Sequence, residues 1–160
     1  MLVGVMADTH DRLPQIRRAL AEFQRRGIDT VIHAGDICSP FAAKLLAGFD
    51  GTLHVIYGNN DGEHEGLRQV LPQIHDAPMQ LELGGCNILV HHYIGWCDQG
   101  DVNRAGVIIG GHSHETVNEL RDGKLYLNPG ECCGWLANRS TVAVLDTDGP
   151  GAEIVELDLS

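Results

Sequence analysis

No stretch of this 160-residue chain reaches the roughly 18 consecutive apolar residues that a membrane-spanning helix needs. Its apolar start, Met1 to Ala7, has no positive flank and is too short for a secretory signal, so the expectation is a cytoplasmic protein that does not enter a membrane. Cationic residues are scarce: Lys and Arg total 11 against 22 Asp and Glu, for a formal charge of −11. A long polyanion is repelled by such a chain unless bound cations reverse the field locally, which disfavours bulk nucleic-acid binding. The one basic cluster, Arg17, Arg18, Arg25 and Arg26, reads as the solvated face of a helix. Cysteines are few, odd in number and without the paired spacings of a zinc ribbon or a disulfide scaffold: Cys38, Cys86, Cys97, Cys132 and Cys133. They read as free thiols, with a redox or soft-metal role for adjacent Cys132 and Cys133 as the alternative to plain buried packing. There is no low-complexity tract and no repeat period, and the length suits a single domain over residues 1–160.

What the chain does have is five apolar runs that end in metal-ligand residue types. Leu2 to Ala7 leads into Asp8-Thr9-His10, and Val31 to Ala34 into Gly35-Asp36. Leu53 to Tyr57 leads into Gly58-Asn59-Asn60-Asp61, Ile88 to Val90 into His91-His92, and Val107 to Ile109 into Gly110-Gly111-His112-Ser113-His114. Short, β-branched apolar runs of this length read as buried strands, and in α/β proteins ligands collect at strand ends. The side chains of Asp8 and His10, two apart on an extended tail, can reach one point. Asp36 has two carboxylate oxygens with which to bridge two cations, Asn59 offers a neutral oxygen, and the histidines offer imidazole nitrogens. Such mixed N and O donors suit manganese, iron, zinc or nickel better than magnesium or calcium.

Between these runs the chain alternates. Leu13, Ile16, Leu20 and Phe23 recur at helical spacing behind Pro14, and Gly27 closes that helix. Ser39-Pro40 opens a short helix to Leu46, and Glu65 to Leu71 forms another before Pro72. From about residue 78 the pattern turns to hairpins: Met79–Leu83 with Cys86–His92 across Gly84-Gly85, and Thr116–Leu120 with Lys124–Leu127 across Asp122-Gly123. A third pairs Thr141–Leu145 with Ile154–Leu159 across Asp148-Gly149-Pro150-Gly151. Trp96 to Ala105 shows no clear period and reads as a loop with at most a helical turn. The fold class is α/β, with two packed mixed β-sheets flanked by helices.

The order Asp-x-His, Gly-Asp, Gly-Asn-x-Asp, His, Gly-His-x-His over residues 8 to 114 resembles the calcineurin-like metallophosphoesterase superfamily. Asn128-Pro129-Gly130 and the short length are similar to its small bacterial and archaeal phosphodiesterase-like branch. The resemblance implies an αββα sandwich and a dinuclear, metal-dependent phosphoesterase. One cation would take Asp8, His10, Asp36 and His114, and the other Asp36, Asn59, His92 and His112. Manganese is the first expectation, with nickel, zinc, iron or magnesium as alternatives. The family has Thr-His-Gly where this chain has His91-His92-Tyr93. The resemblance selects His92, whereas a strand covered on both faces leaves His91 and His92 equally open. Asp61 is implied to orient a neighbour in the site. His33 reads equally as a partner of the site or as an ordinary strand histidine, and His54, His64 and His75 as non-functional.

Two divalent cations, two aspartates and a bridging hydroxide sum to about +1, which draws a phosphate oxyanion to in-line attack by that hydroxide. The substrate expectation is a small phosphodiester, with monoesters or nucleotides as the alternative and a non-catalytic binding scaffold of the same fold as the rival. Many relatives carry His where this chain has Asn60, and Asn cannot protonate a leaving oxygen. Restoring His at 60 would supply that acid if Asp61 can orient the ring.

Overall fold

The computed structural model describes residues 1–149 and 151–160, so Pro150 of the last expected turn lies outside the described residues. The first half alternates strand and helix: β1 Leu2–Met6, α1 Leu13–Arg25, β2 Thr30–His33, α2 Pro40–Ala47, β3 Thr52–Ile56, α3 His64–Val70 and β4 Ile74–His75. The second half is β5 Met79–Leu83, β6 Cys86–Val90, α4 Gln99–Arg104, β7 Val107–Ile109, β8 Thr116–Arg121, β9 Lys124–Pro129, β10 Ser140–Asp146 and β11 Gly151–Leu157. The strands form a six-stranded sheet, β11-β10-β1-β2-β3-β4, and a five-stranded sheet, β5-β6-β7-β9-β8. In the first sheet β1 to β4 are parallel, joined by helical crossovers, while β10 runs antiparallel to β1. The two sheets are mixed and flanked by helices, as the sequence implies.

Strand periodicity assigns the layers. Val3, Val5 and Ala7 of one sheet face Ile88, Val90, Val107 and Ile109 of the other. Met6 and Val31, pointing the opposite way, pack against Ile16 and Phe23 of α1 and Leu46 of α2. Leu89 and Ile108 form a third layer with Val102 of α4. Each fully buried branched side chain here is worth about 1.5–3 kcal/mol, so both sheet faces hold the strand ends rigidly. The α1 stripe falls where expected, with Ile16, Leu20 and Phe23 buried and Arg25 and Arg26 bonded to Glu22.

Three elements differ from the sequence reading. Gln99–Arg104 is helical, because Asp98 accepts the Gly100 N–H at its start, and Ile94–Trp96 forms a 3-10 turn. The two-residue β4 follows Pro72 and is held by β3 (Val55 beside Ile74), a pairing that no local pattern announces.

Candidate metal centre

The loops carrying the first two acids are locked to each other by backbone. The Asp8 N–H donates to the Gly35 carbonyl (3.0 Å), those of Thr9 and His10 to the Asp36 carbonyl (3.0 and 3.1 Å), and that of Asp11 to the Ile37 carbonyl (3.2 Å). The chain turns sharply as it leaves each strand. Asp8, His10, Asp36, His112 and His114 take φ values of 52, 38, 62, 67 and 62°. That left-handed region costs an L-residue about 1–2 kcal/mol, and such residues gather where side chains are aimed at a site. Two glycines make the close approach possible. Gly35 has φ 99°, and a Cβ on it would lie 2.7 Å from the Gly58 nitrogen; a Cβ on Gly58 would lie 2.2 Å from Asp36 Oδ1.

The structure brings Asp8, His10, Asp36, Asn59, His92, His112 and His114 into one cluster. His10 Nε2 lies 3.5 Å from Asp36 Oδ2 and 3.3 Å from His114 Nε2, and His114 Nε2 lies 3.5 Å from Asp8 Oδ1. On the other side of Asp36, His92 Nε2 is 3.4 Å from the same Oδ2 and 3.0 Å from Asn59 Oδ1, and His112 Nδ1 is 2.8 Å from that Asn59 oxygen. His91 is not in the cluster. Ile88 and Val90 point between the sheets, so residue 92 continues on their face and residue 91 on the other. The His91 Nδ1 accepts the Tyr93 N–H instead.

This donor set fits cations. The Nδ1–H of His92 donates to the Ala34 carbonyl (2.7 Å) and that of His114 to the Glu131 carboxylate (2.6 Å), because neither oxygen can donate. Each ring therefore turns an Nε2 lone pair toward carboxylate oxygens, an arrangement that repels itself unless a proton or a cation lies between. The local electrostatics agree. Burial of Asp8 pushes its carboxyl up to about 6. Burial draws the His92 imidazole down, but Asp36 and the Ala34 carbonyl outweigh it and leave it raised. Asp36 moves the opposite way: burial would raise it, yet His92 and the two donors of Asn60 hold it well below the usual carboxylate range.

Behind these residues stands a supporting layer. Asp61, buried, accepts four backbone N–H groups, those of Asp36 and Gly58 on one oxygen and of Ile37 and Cys38 on the other, at 2.7–2.9 Å. Asn60 donates its backbone N–H and its side-chain amide to the two oxygens of Asp36, both at 2.8 Å. The condition that Asp61 orient a ring at position 60 is not met, since its acceptors are taken by the backbone N–H groups of Asp36, Ile37, Cys38 and Gly58. His33 is fully buried. It accepts the Gly35 N–H at Nδ1, and its Nε2 reaches Thr9 Oγ1 (3.1 Å), whose hydroxyl donates to the Asp36 carbonyl. Glu131 was not legible as a site residue. It accepts from His114 and from the Leu136 and Ala137 N–H groups, and these donors pull its carboxyl down against the opposing effect of burial. The one available signal was a lone charged residue inside the Leu125 to Cys133 stretch. Asn128 donates to the Gly111 carbonyl (2.8 Å) and thereby ties the Asn-Pro-Gly segment to the Gly-His-x-His loop.

Cys132 and Cys133 are buried and unpaired, and burial pushes the Cys133 thiol up to about 12. A reactive thiol needs the opposite environment. His54 and His75 lie on β3 and β4 away from the cluster, whereas His64 stacks on Tyr57, with ring centroids 4.0 Å apart. It lines a cleft of about 630 Å³ that opens beside Asn59, His92 and His112. Among the described residues no helix is long and apolar enough to cross a membrane.

Residues 1–149 match the calcineurin-like phosphoesterase superfamily domain. A phosphodiesterase of Methanocaldococcus jannaschii, MJ0936, is 37% identical over 156 residues, which cover 92% of this chain and 94% of that protein. A probable metallophosphoesterase of Methanothermobacter thermautotrophicus is 30% identical, covering 97% and 92%. The solved structure of an archaeal phosphodiesterase superposes with a TM-score of 0.85 at 34% identity, over 98% of this chain and all of that one. The order of motifs, the two-sheet fold and these likenesses agree: the chain belongs to the calcineurin-like phosphoesterase superfamily and is a phosphoric ester hydrolase.

Proposed function

We propose that the chain hydrolyses small phosphodiesters at a dinuclear metal centre. Asp8, His10, Asp36 and His114 would hold one cation, and Asp36, Asn59, His92 and His112 the other, with manganese the first candidate. The observation that carries the reading is the pair of imidazoles, His92 and His114, whose Nδ1–H groups are engaged behind the cluster and whose Nε2 lone pairs face Asp36 and Asp8 from its two sides. When bound, the cations would supply positive charge to a phosphoryl group and acidify water as its nucleophile.

The residues of the chain do the positioning. Asp36, its two oxygens fixed by Asn60, is the shared donor, and Asp61 holds its backbone from behind. The carboxylate of Glu131 keeps the His114 ring in one tautomer and one orientation. Asn60 is turned toward Asp36, so it supplies no proton to a departing oxygen. Esters whose leaving group departs as an anion are therefore favoured. A diester is supported over a monoester by the relative named a phosphodiesterase.

The test is to strip the protein with chelator and add back Mn, Ni, Zn or Mg singly while assaying bis(4-nitrophenyl) phosphate and 4-nitrophenyl phosphate. Metal content is measured in parallel. The expected result is two cations per chain and faster turnover of the diester. A single bound cation, or metal uptake with no turnover of either ester, overturns the reading, and the second outcome points to a scaffold.

A further inference from the structure

We propose that the cleft beside the metal centre is a subsite for one ester arm of the substrate, and that this arm carries a neutral, planar nucleobase-like ring. This rests on the phosphodiesterase reading above. The cleft, at about 630 Å³, has the size of a small-molecule site and shares Asn59, His92 and His112 with the donor cluster. A phosphate held at the cluster thus leaves one substituent at the cleft.

The cleft is walled by rings. Trp96 meets Tyr93 edge-on, centroids 5.3 Å apart at 85°, and Tyr93 meets His112 at 5.2 Å and 72°. Both rings are open to water, Tyr93 43% and Trp96 74% exposed. Aromatic faces of this kind are apolar, and a planar ring stacked on one of them removes part of that surface from water. Charge selects the kind of ring. Among the described lining residues there is no lysine or arginine, while exposed Asp76 contributes a carboxylate. A second phosphate would meet that carboxylate without a counter-ion. A neutral ring bearing N–H donors suits it, and the formal charge of −11 disfavours a longer polynucleotide.

The experiment compares adenosine 5′-monophosphate, ribose 5-phosphate and hexyl phosphate as inhibitors of bis(4-nitrophenyl) phosphate hydrolysis by the Mn-loaded protein. Stacking of one base on an aromatic side chain corresponds to about 5- to 150-fold in affinity. The nucleotide should therefore inhibit more tightly than ribose 5-phosphate by that factor, and Trp96→Ala should bring the ratio to about 3-fold or less. Trp96 is so exposed that its removal leaves folding intact. A second readout uses Trp135→Phe, in which Trp96 is the sole tryptophan: adenosine 5′-monophosphate should quench its fluorescence saturably and ribose 5-phosphate should not. Equal inhibition by nucleotide and sugar phosphate, tightest inhibition by hexyl phosphate, or a preference that survives Trp96→Ala overturns the subsite and leaves diester hydrolysis standing. If no diester is hydrolysed, the phosphodiesterase reading fails, and the fluorescence titration still decides the subsite.

Discussion

Replacing Asp61 with Asn keeps the shape of the side chain and removes one acceptor oxygen. In the native protein the two oxygens of this buried carboxylate divide four backbone N–H groups, two each. Whichever way the amide sits, its NH₂ must face two of those donors. Two hydrogen bonds to an ionised acceptor are lost, at about 1.5–3 kcal/mol each, and two buried donors are left facing a third. The expected cost is about 3–6 kcal/mol, against the roughly 5–15 kcal/mol that holds a domain folded. The assay is urea unfolding of the chelator-treated protein followed by far-UV circular dichroism. With a slope of about 2 kcal/mol per molar, the midpoint should fall by about 1.5–3 M while the slope itself stays unchanged. Exposed Asp76→Asn is the control and should shift stability by no more than about 0.5 kcal/mol. If Asp61→Asn lost less than about 1 kcal/mol, the claim that this carboxylate anchors the Asp36 loop would be wrong.

His33 makes stability depend on pH. Full burial depresses its imidazole from the ordinary 6.5 to about 3, so between those values the unfolded chain binds a proton that the folded one refuses. Stability contributed by this group is present above pH 6.5 and is lost as pH falls, by about 2 kcal/mol from pH 7 to pH 5. Urea midpoints of native and His33→Gln metal-free protein at the two pH values should show that difference, and an identical pH response in both proteins would count against it. Glu131→Gln should weaken the first cation by about 10- to 100-fold and the second much less, because only His114 loses its anionic partner; calorimetric titration of manganese into apo-protein reads both sites. Asn60→His should lower kcat/KM for alkyl and nitrophenyl diesters alike, since it removes the amide that steadies Asp36. A selective gain on alkyl esters would instead show that a ring at position 60 reaches the leaving group.

Much of this molecule is legible in one dimension because the information is local. An apolar run of five residues ending in Asp-Thr-His or Gly-Asp is a strand delivering a ligand whatever lies around it, and that is why the strand ends and the parallel-then-hairpin order can be read directly. The α1 stripe of Ile16, Leu20 and Phe23 is equally local. The choice between His91 and His92 was not, since adjacent strand residues differ only in which face they address, and the second sheet decides which face looks into the site. Asp61 reads as a residue that orients a neighbour, but which neighbour, and that Asn60 is turned to Asp36, is decided by the Asp36 loop some 25 residues away in sequence, which takes up their hydrogen bonds. Glu131 carries no motif; its meaning comes from His114, 17 positions earlier, at 2.6 Å. Residue type and spacing determine which donors the chain can offer, but which nitrogen of each imidazole is free depends on groups brought behind the ring by tertiary packing alone.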